Sequence, residues 1–180
     1  KKIPLTDKEM SAYSREFWIF MGATVLCLMA FQIIIPTSIP VYNELLGLFG
    51  IASNLAPPAD PVQFYSKFQL WFAVGIALLS GTGQFFWWKR MNFQDFKIEI
   101  QKPLMISLLI SALIFVLAEV REFPYMILLT ASIYSITANF AILLRLKRTN
   151  VKLSGGSIAH MGVGLMLIGI LFSSGYSKIL

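Results

Sequence analysis

Five long apolar stretches dominate the sequence and constrain its fold more than any other feature. They run from 17 to 35, 68 to 88, 103 to 120, 125 to 144 and 157 to 173. Each is close to the roughly 20 apolar residues that a helix needs to cross a bilayer. Because backbone N–H and C=O groups must be paired within lipid, these stretches are predicted to be helices. The sequence lacks the alternation of apolar and polar residues that is typical of β-barrel strands. The sequence therefore predicts an all-α, polytopic membrane protein with five transmembrane helices.

The composition excludes most other classes of protein. Hydrophobic residues make up 57% of the 180 residues and charged residues only 13%, whereas a soluble domain has about 25% charged residues. One cysteine excludes an internal disulfide and a cysteine-based zinc site, and one histidine excludes a multi-histidine metal site within this chain alone. Residues 1–180 are predicted to form a single membrane domain. The start on Lys1-Lys2, without a methionine, indicates a fragment of a longer protein.

The basic residues predict the orientation of the helices in the membrane. Twelve of the 15 lysines and arginines precede the first stretch or join the second to the third and the fourth to the fifth. Only Lys67, Arg121 and Lys178 lie on the other side. The positive-inside rule then places the N-terminus in the cytoplasm and the C-terminus outside. The net charge of +6 is thus explained by topology, and nucleic acid is not expected as a partner.

The connection 36–67 is predicted to be extracytoplasmic and is long for a loop within a helical bundle. Its apolar residues cluster between Tyr42 and Phe49. This cluster favours a short amphipathic helix at the membrane interface. An ordered loop packed on the helix ends is the alternative.

His160 is the strongest candidate for a functional residue. An ionisable side chain within a membrane helix is unfavourable and by default suggests function. Gly156 and Gly164 lie four residues before and after it, on the same helical face. These glycines leave the imidazole face open, as a flat macrocycle such as haem requires. Close helix packing is the competing explanation, because small residues also let membrane helices approach each other.

Two other polar residues are predicted to lie at a similar depth in the membrane. Gln84 and Asn139 are candidates to orient His160 from a second layer of contacts. The alternative for each is an ordinary hydrogen bond between helices. Ala159, Gly162 and Gly169 lie on a different stripe of the fifth helix, where they are candidates for helix packing.

The residues around His160 also support a family resemblance. The segment 158–170 reads Ile-Ala-His-Met-Gly-Val-Gly-Leu-Met-Leu-Ile-Gly-Ile, and 173–177 reads Ser-Ser-Gly-Tyr-Ser. Together they are similar to a helix of the CcmF/NrfE-type cytochrome c haem lyases (System I). Residues 13–16 and 60–65 resemble segments of the same family that open its helices. The family's tryptophan-rich motif and its other haem-ligating histidines are absent, so the resemblance covers only the C-terminal membrane segment.

The resemblance implies that His160 is an axial ligand to the iron of a transmembrane b-type haem, with Gly156 and Gly164 beside it. In the family this haem is proposed to reduce incoming haem before it is attached to apocytochrome c. The second axial ligand is not in this chain and must come from a missing segment, a separate chain or a second copy.

The resemblance also implies a setting for the chain. The implied location is the bacterial cytoplasmic (inner) membrane. The implied partners are membrane lipid, haem, the remaining part of the haem lyase, apocytochrome c and other cytochrome c maturation proteins. No catalytic residue is identified, and lyase activity is not expected from this segment alone.

Two other functions are compatible with the residues. The chain could be a structural or scaffolding membrane subunit whose histidine only packs between helices, without a cofactor. A transporter fragment is the second alternative, although the broken helices and internal repeats that are typical of transporters are not evident.

Overall fold

The computed structural model describes residues 14–88, 93–149 and 154–175. Within these ranges all regular secondary structure is helical, and no strand is present. The helices are α1 (Arg15–Thr37), α2 (Ile39–Leu48), α3 (Pro61–Trp88), α4 (Phe93–Leu117), α5 (Phe123–Thr149) and α6 (Gly155–Ile170), and a π-helical turn, Leu171–Gly175, follows α6. All but α2 are long and apolar enough to cross a membrane. The predicted all-α, multi-pass membrane fold is therefore confirmed, and its orientation stays a prediction.

Capping side chains determine where α1 and α3 begin. Ser14 Oγ accepts a hydrogen bond of 3.2 Å from the N–H of Phe17. Asp60 Oδ1 accepts one of 2.9 Å from the N–H of Gln63, and Pro61 occupies the first helical position, where a missing N–H is harmless. Helix α3 thus begins before the apolar stretch that was predicted to start at residue 68. Hydropathy shows the membrane-spanning part of a helix, whereas capping shows its true start.

Helix α4 also begins earlier than predicted. The third apolar stretch was predicted to begin at residue 103, which would place Pro103 at a helix start, but this proline lies inside α4. Residues 93–102 extend the helix beyond the apolar span: Phe96 packs 5.0 Å from Phe86 between ring centroids, and Glu99 forms an ion pair with Arg145. The proline lacks an N–H for the helix, while its own C=O accepts a 3.2 Å hydrogen bond from Thr137 Oγ1.

Helix α5 is the centre of the bundle. It packs against α3, α4 and α6, whereas α1 packs on α3 and buries no residue fully. The buried positions of α5 combine leucine and isoleucine with small and polar residues, and Ser132, Ser135, Ala138 and Asn139 are completely buried, as is Leu129. Small and polar residues at such contacts are typical of membrane bundles, because they allow close approach and hydrogen bonds between helices.

Two glycines let neighbouring helices come closest to α5. A Cβ atom on Gly81 of α3 would lie 2.7 Å from Tyr134 Cε1 and 3.2 Å from Ser135 Cα. A Cβ atom on Gly164 of α6 would lie 2.7 Å from Ile136 Cγ1 and 3.0 Å from the carbonyl oxygen of Ser132. Both helices therefore contact the backbone of α5 within the same two turns, Ser132 to Ile136. This double contact sets the position of α3 relative to α6.

The connection between α1 and α3 contains the predicted short helix. Helix α2 covers most of the apolar cluster between Tyr42 and Phe49. The chain after it is held by Asn43, whose Oδ1 accepts from Ser53 Oγ at 2.8 Å and whose Nδ2 donates to the carbonyl of Leu55 at 2.8 Å. The helical conformation is confirmed, and its position at the membrane interface stays a prediction.

Candidate functional site

The His160 side chain lies at the contact between α6 and α3. Its Nδ1 is 2.9 Å from Ser80 Oγ, which is a hydrogen-bonding distance. Ser80 is buried on α3, one residue before the glycine that packs closely on α5. The same close packing therefore brings a serine of α3 to the histidine of α6, although the two are 80 residues apart in the sequence.

Ser80 is in turn held by α5. Ser135 Oγ donates a 3.1 Å hydrogen bond to Ser80 Oγ. Asn139 Nδ2 donates to the carbonyl oxygens of Ser80, at 3.2 Å, and of Ser135, at 2.8 Å. The hydrogen bonds thus run from α5 through α3 to the imidazole on α6. Asn139 was predicted to orient His160, and the structure brings the two together through Ser80 rather than by direct contact.

A cavity of about 430 Å³ lies beside the imidazole, between α1, α3 and α6. Its walls are largely apolar, with Trp18, Gly22 and Leu26 from α1, Ile76 and Gly83 from α3, and Val163 from α6. Its polar lining consists of Arg15, Ser80, Gln84 and His160. Pockets of about 300–1,000 Å³ with apolar walls and a few convergent polar groups are typical of small-molecule and cofactor sites. Gln84, the second residue that was predicted to orient His160, is thus part of the cavity wall.

The glycines of α6 are arranged differently from the prediction. Gly164 was expected to keep the face of His160 open, but it is buried and packs against Ile136 and Ser132 of α5. It is not among the residues that line the cavity. Gly162 and Gly169 were candidates for packing, yet a Cβ atom on either would meet nothing within 4 Å. The close-packing explanation thus accounts for Gly164, because the twist of the helix turns its position toward α5.

Gly156 lies next to the cavity rather than on its wall. A Cβ atom there would be 3.6 Å from Gln84 Oε1, an ordinary contact distance. The glycines that do line the cavity are Gly22 of α1 and Gly83 of α3. Sequence reasoning missed both of them, together with Ser80 and Ser135. Their spacing along the sequence does not indicate the site, because only the packing of three different helices brings them to it.

Two fully buried polar atoms near this site lack a hydrogen-bond partner among the residues that the structure describes. They are Asn139 Oδ1 and Ser157 Oγ. Buried polar atoms are nearly always satisfied, so each exception calls for an explanation. In the described ranges, no three histidine, cysteine, aspartate or glutamate side chains come together as a metal site. A metal at His160 would thus require other ligands.

Comparison with known proteins adds no further assignment. No protein-family model, curated protein or solved structure matches this chain. The function of this chain must therefore be inferred from its residues, from their geometry and from the resemblance to the haem lyases.

Proposed function

We propose that this chain is the haem-binding part of a membrane haem lyase for cytochrome c maturation, and that His160 is one axial ligand of a b-type haem between α1, α3 and α6. The observation that supports this proposal most is the combination of a hydrogen-bonded imidazole and an apolar cavity beside it. The proposal includes the bacterial cytoplasmic membrane as its location and a cytoplasmic N-terminus.

The hydrogen bond to Ser80 fits a histidine that binds metal. Such a histidine uses one ring nitrogen for the metal and donates the N–H of the other to an oxygen acceptor, which fixes the ring orientation. Here Ser80 Oγ contacts Nδ1, so Nε2 is the nitrogen available for iron. Ser80 Oγ would accept a hydrogen bond from Nδ1–H while Nε2 binds the iron.

The cavity fits a flat apolar ring with acidic edges. Gly22 and Gly83 reduce the thickness of its walls, and Trp18 provides an aromatic surface. Arg15 lines the same cavity, and a guanidinium is the side chain best suited to bind a carboxylate such as a haem propionate. The site could therefore hold the ring through apolar contact and one of its carboxylates through charge.

The chain would supply only half of the iron coordination. Its single histidine means that the second axial ligand would come from the rest of the protein, from another chain or from a second copy. When bound, haem would supply one-electron redox chemistry. The residues of this chain would bind the ring, orient the ligand nitrogen and exclude water, and the segment alone would not be an active lyase.

The test is a His160→Ala variant of the whole protein that contains this chain. We expect loss of one axial ligand, seen as a change in the reduced-minus-oxidised spectrum of b-type haem at normal protein yield. Met166→Ala is the matched control, since Met166 is on the same helix and exposed on the outside of the bundle. An unchanged spectrum in the His160→Ala variant would refute the ligand assignment.

A structural subunit without a cofactor is the second candidate. It is supported by the close contacts of Gly81 and Gly164 with α5, and by the Ser80–His160 hydrogen bond as a simple link between helices. In that case His160→Ala would lower the stability of the bundle, and no haem would be bound by the unaltered protein.

A further inference from the structure

Ser80 and Ser135 use their hydroxyls differently from Ser107, Ser111 and Ser132, which are buried in the same bundle. A serine in a membrane helix commonly donates to a carbonyl of its own helix, about one turn earlier. Ser111 does so toward Ser107 at 2.7 Å, and Ser132 toward Leu128 at 2.7 Å. Ser135 instead donates across the helix contact to Ser80, and Ser80 contacts His160. The result is a continuous chain of hydroxyls that connects three helices and ends at the imidazole.

The direction of one hydrogen bond in this chain favours the direction of the next. Each hydroxyl carries a single proton and two acceptor lone pairs. Ser80 Oγ accepts a hydrogen bond from Ser135, so its own proton can be donated to His160 Nδ1, and Nδ1 is then the acceptor. A neutral imidazole whose Nδ1 accepts carries its proton on Nε2. In this direction of the chain, Nε2 is a hydrogen-bond donor and cannot bind a metal.

Asn139 provides the acceptor that the opposite direction requires. It lies one helical turn after Ser135 on α5, and its Nδ2 is fixed by the carbonyls of Ser80 and Ser135. Its Oδ1 is completely buried and accepts no hydrogen bond from any residue in the described ranges. A buried acceptor of this kind is explained if it is used only in a second hydrogen-bonding arrangement.

We infer that Ser80, Ser135 and Asn139 form a reversible hydrogen-bond chain that selects which nitrogen of His160 carries the proton. In the reversed direction, Nδ1–H donates to Ser80 Oγ, the Ser80 hydroxyl donates to Ser135 Oγ, and the Ser135 side chain turns so that its hydroxyl donates to Asn139 Oδ1, a bond that the present arrangement lacks. The hydroxyls rotate and keep their own protons, the Nε2 proton passes to water, and water delivers one proton to Nδ1, so the imidazole is neutral in both arrangements and no proton is gained or lost overall. Nε2 then has the lone pair that ligates iron.

The reversible hydrogen-bond chain rests on the proposed function in one respect only, the identity of the metal that Nε2 would bind. Ser80, Ser135 and Asn139 are positioning residues, since they act through His160. In the first arrangement Nε2 is protonated, and the site would be stable without haem. Reversal of the hydrogen-bond chain would then leave Nε2 unprotonated, so that it could bind iron when haem enters. A packing role alone for these residues would not determine the tautomer of the ring.

The single histidine of the chain makes a direct test possible. Labelling the 180-residue chain with ¹⁵N-histidine in lipid nanodiscs gives ring signals from His160 only, and ring ¹H–¹⁵N correlations report which nitrogen is protonated. Without haem, we expect mostly the Nε2-protonated form. Ser135→Ala removes the donor that directs Ser80, so the Nδ1-protonated fraction should rise at least threefold. Ser80→Ala should change the Nδ1 signal at least as much.

Ser132→Ala is the matched control, because Ser132 is equally buried but donates only within α5. It should leave the ring signals unchanged. The inference is overturned if Ser135→Ala or Ser80→Ala leaves the ring signals unaltered, or if Ser132→Ala shifts them equally.

Comparing these ring signals with the haem spectrum of the whole protein separates the hydrogen-bond chain from the proposed function. If the His160→Ala variant of the whole protein keeps an unchanged haem spectrum but Ser135→Ala shifts the tautomer, the hydrogen-bond chain is supported and the haem proposal fails. If His160→Ala alters that spectrum and Ser135→Ala has no effect on the ring signals, the haem proposal is supported and the hydrogen-bond chain is refuted.

Discussion

Replacing Gly164 with alanine should destabilise the contact between α5 and α6, and the structure gives the size of the effect. The added Cβ atom would lie 2.7 Å from Ile136 Cγ1 and 3.0 Å from the carbonyl oxygen of Ser132, whereas carbon contacts are optimal at about 3.5–4.0 Å. Ile136 can rotate, but the carbonyl belongs to the backbone of the central helix and moves only if the helices separate. Overpacking of this kind costs about 1–3 kcal/mol.

The gain in helix propensity from glycine to alanine offsets about 0.5–1 kcal/mol of that cost. A net loss of up to about 2.5 kcal/mol, with a central value of about 1 kcal/mol, is therefore expected in the free energy of unfolding, measured by reversible denaturation in mixed micelles. Gly162→Ala and Gly169→Ala are matched controls on the same helix, because an added Cβ atom meets nothing within 4 Å. They should be neutral or slightly stabilising. Equal stability of the Gly164→Ala and Gly162→Ala variants would refute the close contact with α5.

Two further predictions concern the ends of the bundle. Asn43→Ala should increase proteolysis and hydrogen exchange of residues 49–60 by roughly tenfold, since it removes three hydrogen bonds to the chain after α2, which together correspond to about 1.5 kcal/mol at about 0.5 kcal/mol each. Asn54→Ala, at an exposed position in the same segment, should leave proteolysis and hydrogen exchange unchanged. Equal effects of the two substitutions would contradict the role of Asn43 in holding this segment. Reporter fusions at Ser53 and Asn150 should report opposite sides of the membrane, and a shared side would refute the topology.

The membrane fold could be predicted from the sequence because its cause is local. Each spanning segment must satisfy its own backbone hydrogen bonds in lipid, so a sufficiently long apolar stretch already specifies a helix. The true starts of α3 and α4 were less predictable from hydropathy. Their first turns lie outside the apolar spans and depend on the Asp60 cap in α3 and on the contacts of Phe96 and Glu99 in α4.

The candidate site was only partly predictable. His160 stands out in the sequence because an ionisable group within a membrane helix needs a reason. Asn139 and Gln84 were also identified as polar residues at a similar depth. Ser80 and Ser135 gave no signal, since serines are common in membrane helices and usually donate within their own helix. Only the distances show that these two differ from Ser111 and Ser132.

The sequence alone predicts the number of spanning helices, their orientation and His160 as the candidate functional residue, because each prediction follows from the local composition of a stretch or loop. Which glycine serves which purpose depends instead on how the helices pack. Gly164 lies on the same helical face as His160, yet the twist of α6 and the closeness of α5 turn it into a packing residue. The cavity is instead lined by Gly22 and Gly83 from two other helices. Contacts between distant segments arise from how whole helices pack, and no local pattern of residues contains that information.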